Sequence, residues 1–228
     1  DLTVMMTHSA QQIITPMAVS WAGDCTVITN WEHEMSGLSE YDGILIAPST
    51  RNFLAKLNSG IVDSPLMMAI SSAKSNNIPV VIIPSMHKSL VEDEKTKELC
   101  SDISQMNFKI LWGYTEENKF KQPDAIAIVA NFSNHLNSYL TNRKHIVITL
   151  GATTTHIDDI RYVKNSSSGR TGYSIASRLH RWGHEITIVS GETTHTPEFK
   201  MPLVIKAPNP DEMLAELIAL SKCSIDVW

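Results

Sequence analysis

The chain has 228 residues, 43% of them hydrophobic and 19% charged, enough for one large or two modest domains that each bury a core. A formal net charge of −5 without any basic block argues against nucleic acid or an anionic membrane surface as a partner. No apolar run is long enough to cross a bilayer, and Cys25, Cys100 and Cys223 are too scattered for a disulfide framework or a metal-ligand spacing, which fits a reducing cytoplasm.

Leu2–Met6 reads as a short buried strand, and the chain closes on another strand-like run, Ser224-Ile-Asp-Val-Trp228. Strands in a sheet need hydrogen-bonding neighbours and covering helices. Residues are therefore expected before Asp1 and after Trp228, including the first βα unit of the opening domain.

Gly43-Ile-Leu-Ile-Ala47 and Pro79-Val-Val-Ile-Ile83 are continuous apolar runs, the pattern of strands buried on both faces of a parallel sheet. Between them Phe53, Leu54 and Leu57, then Leu66, Met67, Ile70 and Ala73, recur at helical spacing. Phe108–Trp112 gives a further strand. Pro123 opens a helix whose expected apolar stripe is Ile126, Val129, Phe132, Leu136 and Leu140.

Thr141-Asn-Arg-Lys144 is a polar joint, and two domains, 1–141 and 142–228, are expected on either side of it. The second restarts with strand His145–Leu150, a polar Gly/Ser-rich loop, a helix from Gly172 to about Trp182, and strand Glu185–Val189. Gly183 stands where a helix terminator is wanted. Pro202–Ala207 reads as a strand. Asp211–Leu220 reads as an amphipathic helix with Met213, Leu214, Leu217 and Ile218 inside. Repeated βα units predict an α/β fold of two Rossmann-like, three-layer domains with mainly parallel sheets.

In open α/β sheets ligands collect at the carboxyl ends of strands. The unusual loop there is Gly151-Ala-Thr-Thr-Thr155, then Asp158-Asp-Ile-Arg-Tyr162, then Asn165-Ser-Ser-Ser-Gly169-Arg-Thr-Gly172. It offers backbone N–H groups and hydroxyls beside a helix N-terminus, which suits a phosphate chain. It is neither a Walker A loop nor a clean GxGxxG, and a surface loop with an ordinary helix cap has the same composition.

From Gly151-Ala-Thr through Ile157-Asp158, Arg161-Tyr162, Asn165, Ser167-Ser168-Gly169 and Gly172, then Gly183-His-Glu-Ile-Thr-Ile-Val-Ser190-Gly191, the sequence resembles the phosphopantothenate–cysteine ligase family of coenzyme A biosynthesis in one register. The resemblance implies a nucleotide triphosphate and 4′-phosphopantothenate as ligands, with CTP and Mg²⁺ forming an acyl-cytidylate that cysteine attacks. It implies phosphate cradling by Ser167, Ser168, Gly169 and Gly172, and it places Gly151, Thr153 and Arg161 in the same nucleotide and substrate segment. Asn165 takes the catalytic position beside the acyl-nucleotide, where an amide can hold an oxygen as charge develops. Arginine in such a place also serves as a structural clamp. Ala152 stands where the family has a second glycine, and Thr154-Thr155-His156 replaces an Arg/Pro-containing stretch. The family continues past residue 228 into segments that complete the nucleotide site.

The first domain is similar to the flavin-containing cysteine decarboxylases, through Val4-Met-Met-Thr7-His-Ser9-Ala, Ile14-Thr15-Pro16, Ala47-Pro48-Ser49-Thr50-Arg51-Asn52, Ala55-Lys56-Leu57, Gly60-Ile61-Val62-Asp63 and Pro84-Ser85-Met86-His87. This resemblance implies a flavodoxin-like fold and bound FMN, with Thr7, Ser9, Thr50, Asn52 and Met86 as cofactor-binding candidates. Hydroxyls and amides suit the phosphate and ribityl chain, and they equally serve as turn formers and helix caps.

Decarboxylation of phosphopantothenoylcysteine to 4′-phosphopantetheine is the implied second activity. The family asparagine that holds the substrate carboxylate is here His87, and His33 is the candidate for the family's base-like histidine. The family's loop cysteine has no counterpart: Gly113-Tyr-Thr-Glu-Glu-Asn118 leads into Lys119-Phe120, where Arg-Met is usual. Two readings follow, an active decarboxylase–ligase, or a ligase beside a non-catalytic FMN-binding or oligomerisation module. Both resemblances imply a homo-oligomer.

Overall fold

The apolar runs become parallel strands, and the polar punctuation between them becomes helix caps. The computed structural model describes residues 1–31, 41–106 and 108–228, and the chain divides into two units, Asp1–Pro123 and Asp124–Trp228.

In the first unit β1 (Thr3–Met5) pairs in parallel with β2 (Thr26–Ile28). The short helices α1 (His8–Gln11) and α2 (Pro16–Ala22) lie between them in sequence. Then come β3 (Ile44–Ser49), α3 (Arg51–Asn58), α4 (Pro65–Ser75), β4 (Val80–Pro84), β5 (Met86–His87), α5 (Lys88–Glu92), α6 (Glu94–Gln105), β6 (Lys109–Ile110), β7 (Thr115–Glu116) and β8 (Lys119–Phe120). β3, β4 and β6 form a parallel sheet in the order β3-β4-β6, while β5, β8 and β7 form a small antiparallel one.

Val80, Val81, Ile82 and Ile83 are fully buried, as a central parallel strand with helices on both faces requires. Ile82 packs in a core with Leu54, Leu57, Met67, Ile70 and Ile103. Truncating Ile70 or Ile82 to alanine removes about 2–5 kcal/mol of stability. Thr50, Ser64 and Asp93 cap α3, α4 and α6 through side-chain bonds.

The second unit contains α7 (Ala125–Asn137), β9 (His145–Leu150), β10 (Thr154–His156), β11 (Tyr162–Lys164), α8 (Arg170–Arg181), β12 (Glu185–Ser190), β13 (Leu203–Lys206) and α9 (Pro210–Leu220). β13-β12-β9 is a parallel sheet, extended beyond β9 by a parallel bridge from Ile146 to Val227. Side chains alternate along its strands. Ile146, Leu150, Ile186 and Ile188 face a core shared with Tyr173 and Ala176 of α8. Val147 and Val189 face Met213, Leu217 and Leu220 of α9. These are three layers, and the α/β architecture with mainly parallel sheets is the one the sequence predicts. Among the described residues no helix is long and apolar enough to cross a membrane.

Two helical faces differ from the sequence reading. In α7, Ile126 and Val129 are exposed, while Ile128 and Ala130 are buried. The face turned to α8 is small and polar: Asn134 donates to the carbonyls of His180 (2.8 Å) and His184 (3.2 Å), and Asn137 to that of Arg181 (2.7 Å). The bonds to His180 and Arg181 satisfy orphan carbonyls at the end of α8, and they pack α7 within the second unit. In α9, Leu214 and Ile218 are exposed, because the sheet meets the Met213–Leu217–Leu220 side of the helix.

Candidate functional site

The second unit builds outward from β9 through β12 to β13, then returns past β9 to Val227, whose carbonyl accepts the Val147 N–H at 2.9 Å. The strand order therefore reverses at β9, and a doubly wound sheet opens a crevice at the carboxyl end of such a strand. The Gly/Ser-rich segment leaves β9 at that end.

β10 and β11 form an antiparallel hairpin within this segment. At its tip Arg161 Nε donates to Asp158 Oδ2 at 2.7 Å, and Asp158 Oδ1 accepts the N–H groups of Ile160 (3.0 Å) and Arg161 (2.8 Å). The guanidinium bond, followed by these backbone bonds, holds the Asp158 carboxyl below its ordinary range. Arg161 thus clamps the exposed turn at the tip of the hairpin.

Further along the segment, several predicted members are linked to one another. Asn165 Oδ1 accepts the Ser167 N–H at 3.2 Å, and its Nδ2 donates to Thr153 Oγ1 at 3.4 Å. Ser168 Oγ accepts the Arg170 N–H at 3.4 Å, and its carbonyl accepts the His195 N–H at 3.2 Å. Gly169 begins α8 at φ +80° with no side-chain cap, whereas the other described helices of eight or more residues all have one. Apart from the Arg170 N–H, which Ser168 Oγ accepts, the first-turn N–H groups of Thr171 and Gly172 are consequently left for a partner outside the helix.

Glycines allow the elements to close on one another here. A Cβ at Gly172 would lie 2.5 Å from Leu150 Cβ, and one at Gly169 would lie 2.7 Å from Thr193 Cγ2. The loop after β12 completes the floor. Ala152 and Glu192 exchange two backbone hydrogen bonds of 2.7 and 2.8 Å, and Lys164 pairs with Glu192 across the site. Lys164 and Glu192 were not singled out from the sequence. They are 28 residues apart, and the local signal is only that Lys164 stands next to Asn165 and Glu192 follows Gly191 after an apolar run.

In the first unit Thr7 Oγ1 accepts the Ala10 N–H at 3.2 Å to cap α1, which contains Ser9. Thr50 Oγ1 accepts the Phe53 N–H at 3.3 Å to cap α3, which contains Asn52. The two groups belong to separate sheets, β1-β2 and β3-β4-β6. The Ser49 hydroxyl, at the carboxyl end of β3, is 2% exposed and has no hydrogen-bond partner. The Ser85 N–H donates to the Ser49 carbonyl at 3.0 Å, so the Thr50 and Met86-His87 loops lie side by side. An orphaned buried hydroxyl immediately before a hydroxyl-bearing helix start fits the phosphate and ribityl chain of FMN.

Met86 is part of the buried core, while His87 is exposed and opposes Lys119 across the β5–β8 pair. β7 and β8 are joined by Glu117 and Asn118 at φ +50° and +58°, a two-residue hairpin turn. The Asn118 carbonyl accepts the Lys88 N–H at 2.8 Å, and the Phe120 carbonyl accepts from Ser85 Oγ at 3.1 Å. Segment 113–121 is thereby tied over the Pro84–His87 loop. His33 lies outside the described residues. Of the cysteines, Cys100 lies on α6 and burial raises its thiol pKa.

Residues 1–153 match the Flavoprotein family, and residues 141–227 match the DNA/pantothenate metabolism flavoprotein C-terminal domain. The coenzyme A biosynthesis bifunctional protein CoaBC of Thermococcus kodakarensis is 29% identical over 221 residues, covering 94% of this chain and 54% of its own. Its namesake in Bacillus subtilis is 28% identical over 209 residues, covering 84% and 50%. The chain spans about half the length of the curated relatives it matches. Among solved structures, the FMN-dependent cysteine decarboxylase SpaF is 22% identical with a TM-score of 0.48, covering 54% of this chain and 71% of that one.

Proposed function

The chain belongs to the Flavoprotein family, and on that premise we propose that it acts in coenzyme A biosynthesis, as a flavin-binding unit joined to a phosphopantothenate–cysteine ligase segment beginning near residue 142. The observation that carries this reading is the loop at the carboxyl end of β9. There Gly151, Thr153, Asn165, Ser167, Ser168, Gly169 and Gly172 gather at a strand-order reversal around an uncapped helix start. Such a loop takes the phosphates of CTP, with Mg²⁺ accompanying the nucleotide.

In the reaction the pantothenate carboxylate attacks the α-phosphorus of CTP and releases pyrophosphate. The cysteine amine then attacks the acyl carbon, and CMP leaves as the amide forms. Asn165 is placed to hold the acyl oxygen while charge develops on it. Serine hydroxyls and the first-turn N–H groups of α8 orient the phosphates, which lowers the entropic cost of bringing carboxylate and nucleotide together. Arg161 is assigned to the hairpin clamp.

In the first unit Thr7, Ser9, Ser49, Thr50 and Asn52 would hold FMN, which when bound supplies oxidation of a substrate thiol. His87 is the candidate to bind the substrate carboxylate. The hairpin 113–121 favours a second reading for this unit alone: it occupies the place of the family's cysteine-bearing loop, is tied through β8 to β5, and contains no cysteine. On that reading the unit binds FMN or supports a homo-oligomer without decarboxylating.

The test uses the product of the whole reading frame with 4′-phosphopantothenate, cysteine, CTP and Mg²⁺, following phosphopantothenoylcysteine and CO₂ separately by mass spectrometry. Amide with CO₂ supports both activities, and amide without CO₂ supports the second reading. Absence of amide overturns the ligase assignment.

A further inference from the structure

Lys164 ends β11 immediately before Asn165, and Glu192 follows Gly191 at the carboxyl end of β12. Their side chains form an ion pair across the mouth of the Gly/Ser-rich loop. The pair is not what holds the two segments together. Glu192 is already fixed to Ala152 by two main-chain bonds, and a Cβ on Gly191 would lie 2.2 Å from the Ala152 carbonyl oxygen, so the backbones are in contact without the side chains. Both side chains remain partly solvated, at 35% and 52% exposure. A solvated pair of this kind contributes little to stability. It does fix where a cation and an anion stand beside a loop built to receive phosphate.

A carboxylate at the rim of a polyphosphate site repels the ligand, while an ammonium attracts it. With the pair closed, the two fields largely cancel. With the pair open, Lys164 becomes a phosphate donor one residue from Asn165. We infer that Lys164 is a phosphate-binding residue which Glu192 holds in reserve, the incoming polyphosphate exchanging places with the Glu192 carboxylate on the Lys164 ammonium. The inference rests on the reading of this loop as a polyphosphate site. It adds a residue to that site and gives the site a threshold: weakly charged anions fail to displace Glu192, whereas a triphosphate succeeds, because several phosphate charges compete for one ammonium.

The experiment is equilibrium binding of inorganic tripolyphosphate and of CTP, by titration calorimetry at low and high salt, to the unmodified chain, Glu192→Gln, Lys164→Met and the double variant. Glutamine keeps the size of Glu192 and leaves the Ala152 bridge to main-chain atoms, so the fold is expected to survive. Glu192→Gln is expected to tighten tripolyphosphate binding roughly threefold to tenfold at low salt and much less at high salt. Lys164→Met is expected to weaken it by a similar factor. In the double variant the gain from Glu192→Gln disappears, because the two residues act on one ligand charge.

Unchanged or weaker binding by Glu192→Gln overturns the exchange, as does a tightening that persists without Lys164. Failure of the unmodified chain to bind either probe overturns the polyphosphate site itself, a distinct result. Should Glu192→Gln not fold, Lys164→Arg beside Lys164→Met decides: retention with arginine and loss with methionine supports a cationic phosphate contact, and equal affinities overturn it.

Discussion

Gly172, in the first turn of α8, sits against Leu150 at the end of β9 so closely that a Cβ on residue 172 would come within 2.5 Å of Leu150 Cβ and 2.9 Å of its Cδ2. This contact sets how near the helix start stands to the strand end, and so where the loop between them can hold an anion. Gly172→Ala gains up to about 1 kcal/mol in helix propensity, but overpacking of this kind costs about 1–3 kcal/mol and displaces the helix. The expected outcome is a lower thermal midpoint together with weaker polyphosphate binding. Leu150→Ala does not rescue it, since the closest clash is with Cβ, which alanine retains. Thermal denaturation of the single and double variants checks this.

Asp226 fastens the segment that bridges to Ile146 through Val227 onto β9. Its Oδ2 accepts the His145 N–H at 2.8 Å and its Oδ1 lies 3.4 Å from Lys144 Nζ, and these contacts, the backbone bond foremost, lower its pKa. A carboxyl lowered in the folded state binds fewer protons there than when unfolded. Its stabilisation is therefore fully present above the ordinary aspartate range and is lost as pH falls through the lowered folded value. Asp226→Asn is expected to be less stable than the unmodified chain at neutral pH, with the difference shrinking as the pH drops below about 4. Urea midpoints across that range measure it, and a difference that stays constant with pH would sink the assignment.

Much of this architecture was legible in the sequence because each signal is local. Val80–Ile83 reads as a buried strand since no polar residue interrupts it, and Gly183 at φ +92° ends α8 where a left-handed residue was wanted. The Asn165–Ser167 bond is local too, since an asparagine accepts readily from the N–H two residues on, although the sequence reading assigned these residues only by resemblance. What was not legible depends on partners distant in sequence. The outward face of α7 is set by Asn134 and Asn137 reaching α8 more than forty residues away. The hairpin β10–β11 contains Thr154-Thr-His156, which has no apolar alternation to mark a strand, and the Lys164–Glu192 pair exists only once β12 lies beside β9.

The hairpin over the Pro84–His87 loop depends on a turn with two left-handed residues. Asn118, at φ +58°, tolerates that conformation, whereas a β-branched residue loses about 1–2 kcal/mol there. Asn118→Val is expected to loosen segment 113–121, and limited proteolysis should then cut within it while the rest of the chain resists. Asn118→Gly is expected to leave the cleavage pattern unchanged. Equal protection of both variants would show that the ties to Ser85 and Lys88 hold the hairpin without its turn.

Asn165 has two duties that a single substitution can separate. Its Oδ1 accepts the Ser167 N–H and shapes the loop, while its Nδ2 is a donor resting on Thr153 at 3.4 Å, a contact weak enough to be exchanged for a substrate oxygen. Asn165→Asp keeps an acceptor for the Ser167 N–H and replaces the donor with a negative charge, which under the proposed function faces the nucleotide. Stability is expected to change by no more than about 0.5 kcal/mol, as for other exposed substitutions. Amide formation is expected to fall by roughly a hundredfold or more, the usual cost of losing a donor aimed at developing negative charge. Asn165→Ala removes both duties, so it should lose activity and loosen the loop together. Thermal midpoints beside amide production by mass spectrometry distinguish the two effects. An aspartate variant that keeps full amide production would remove Asn165 from the chemistry and leave it only the turn.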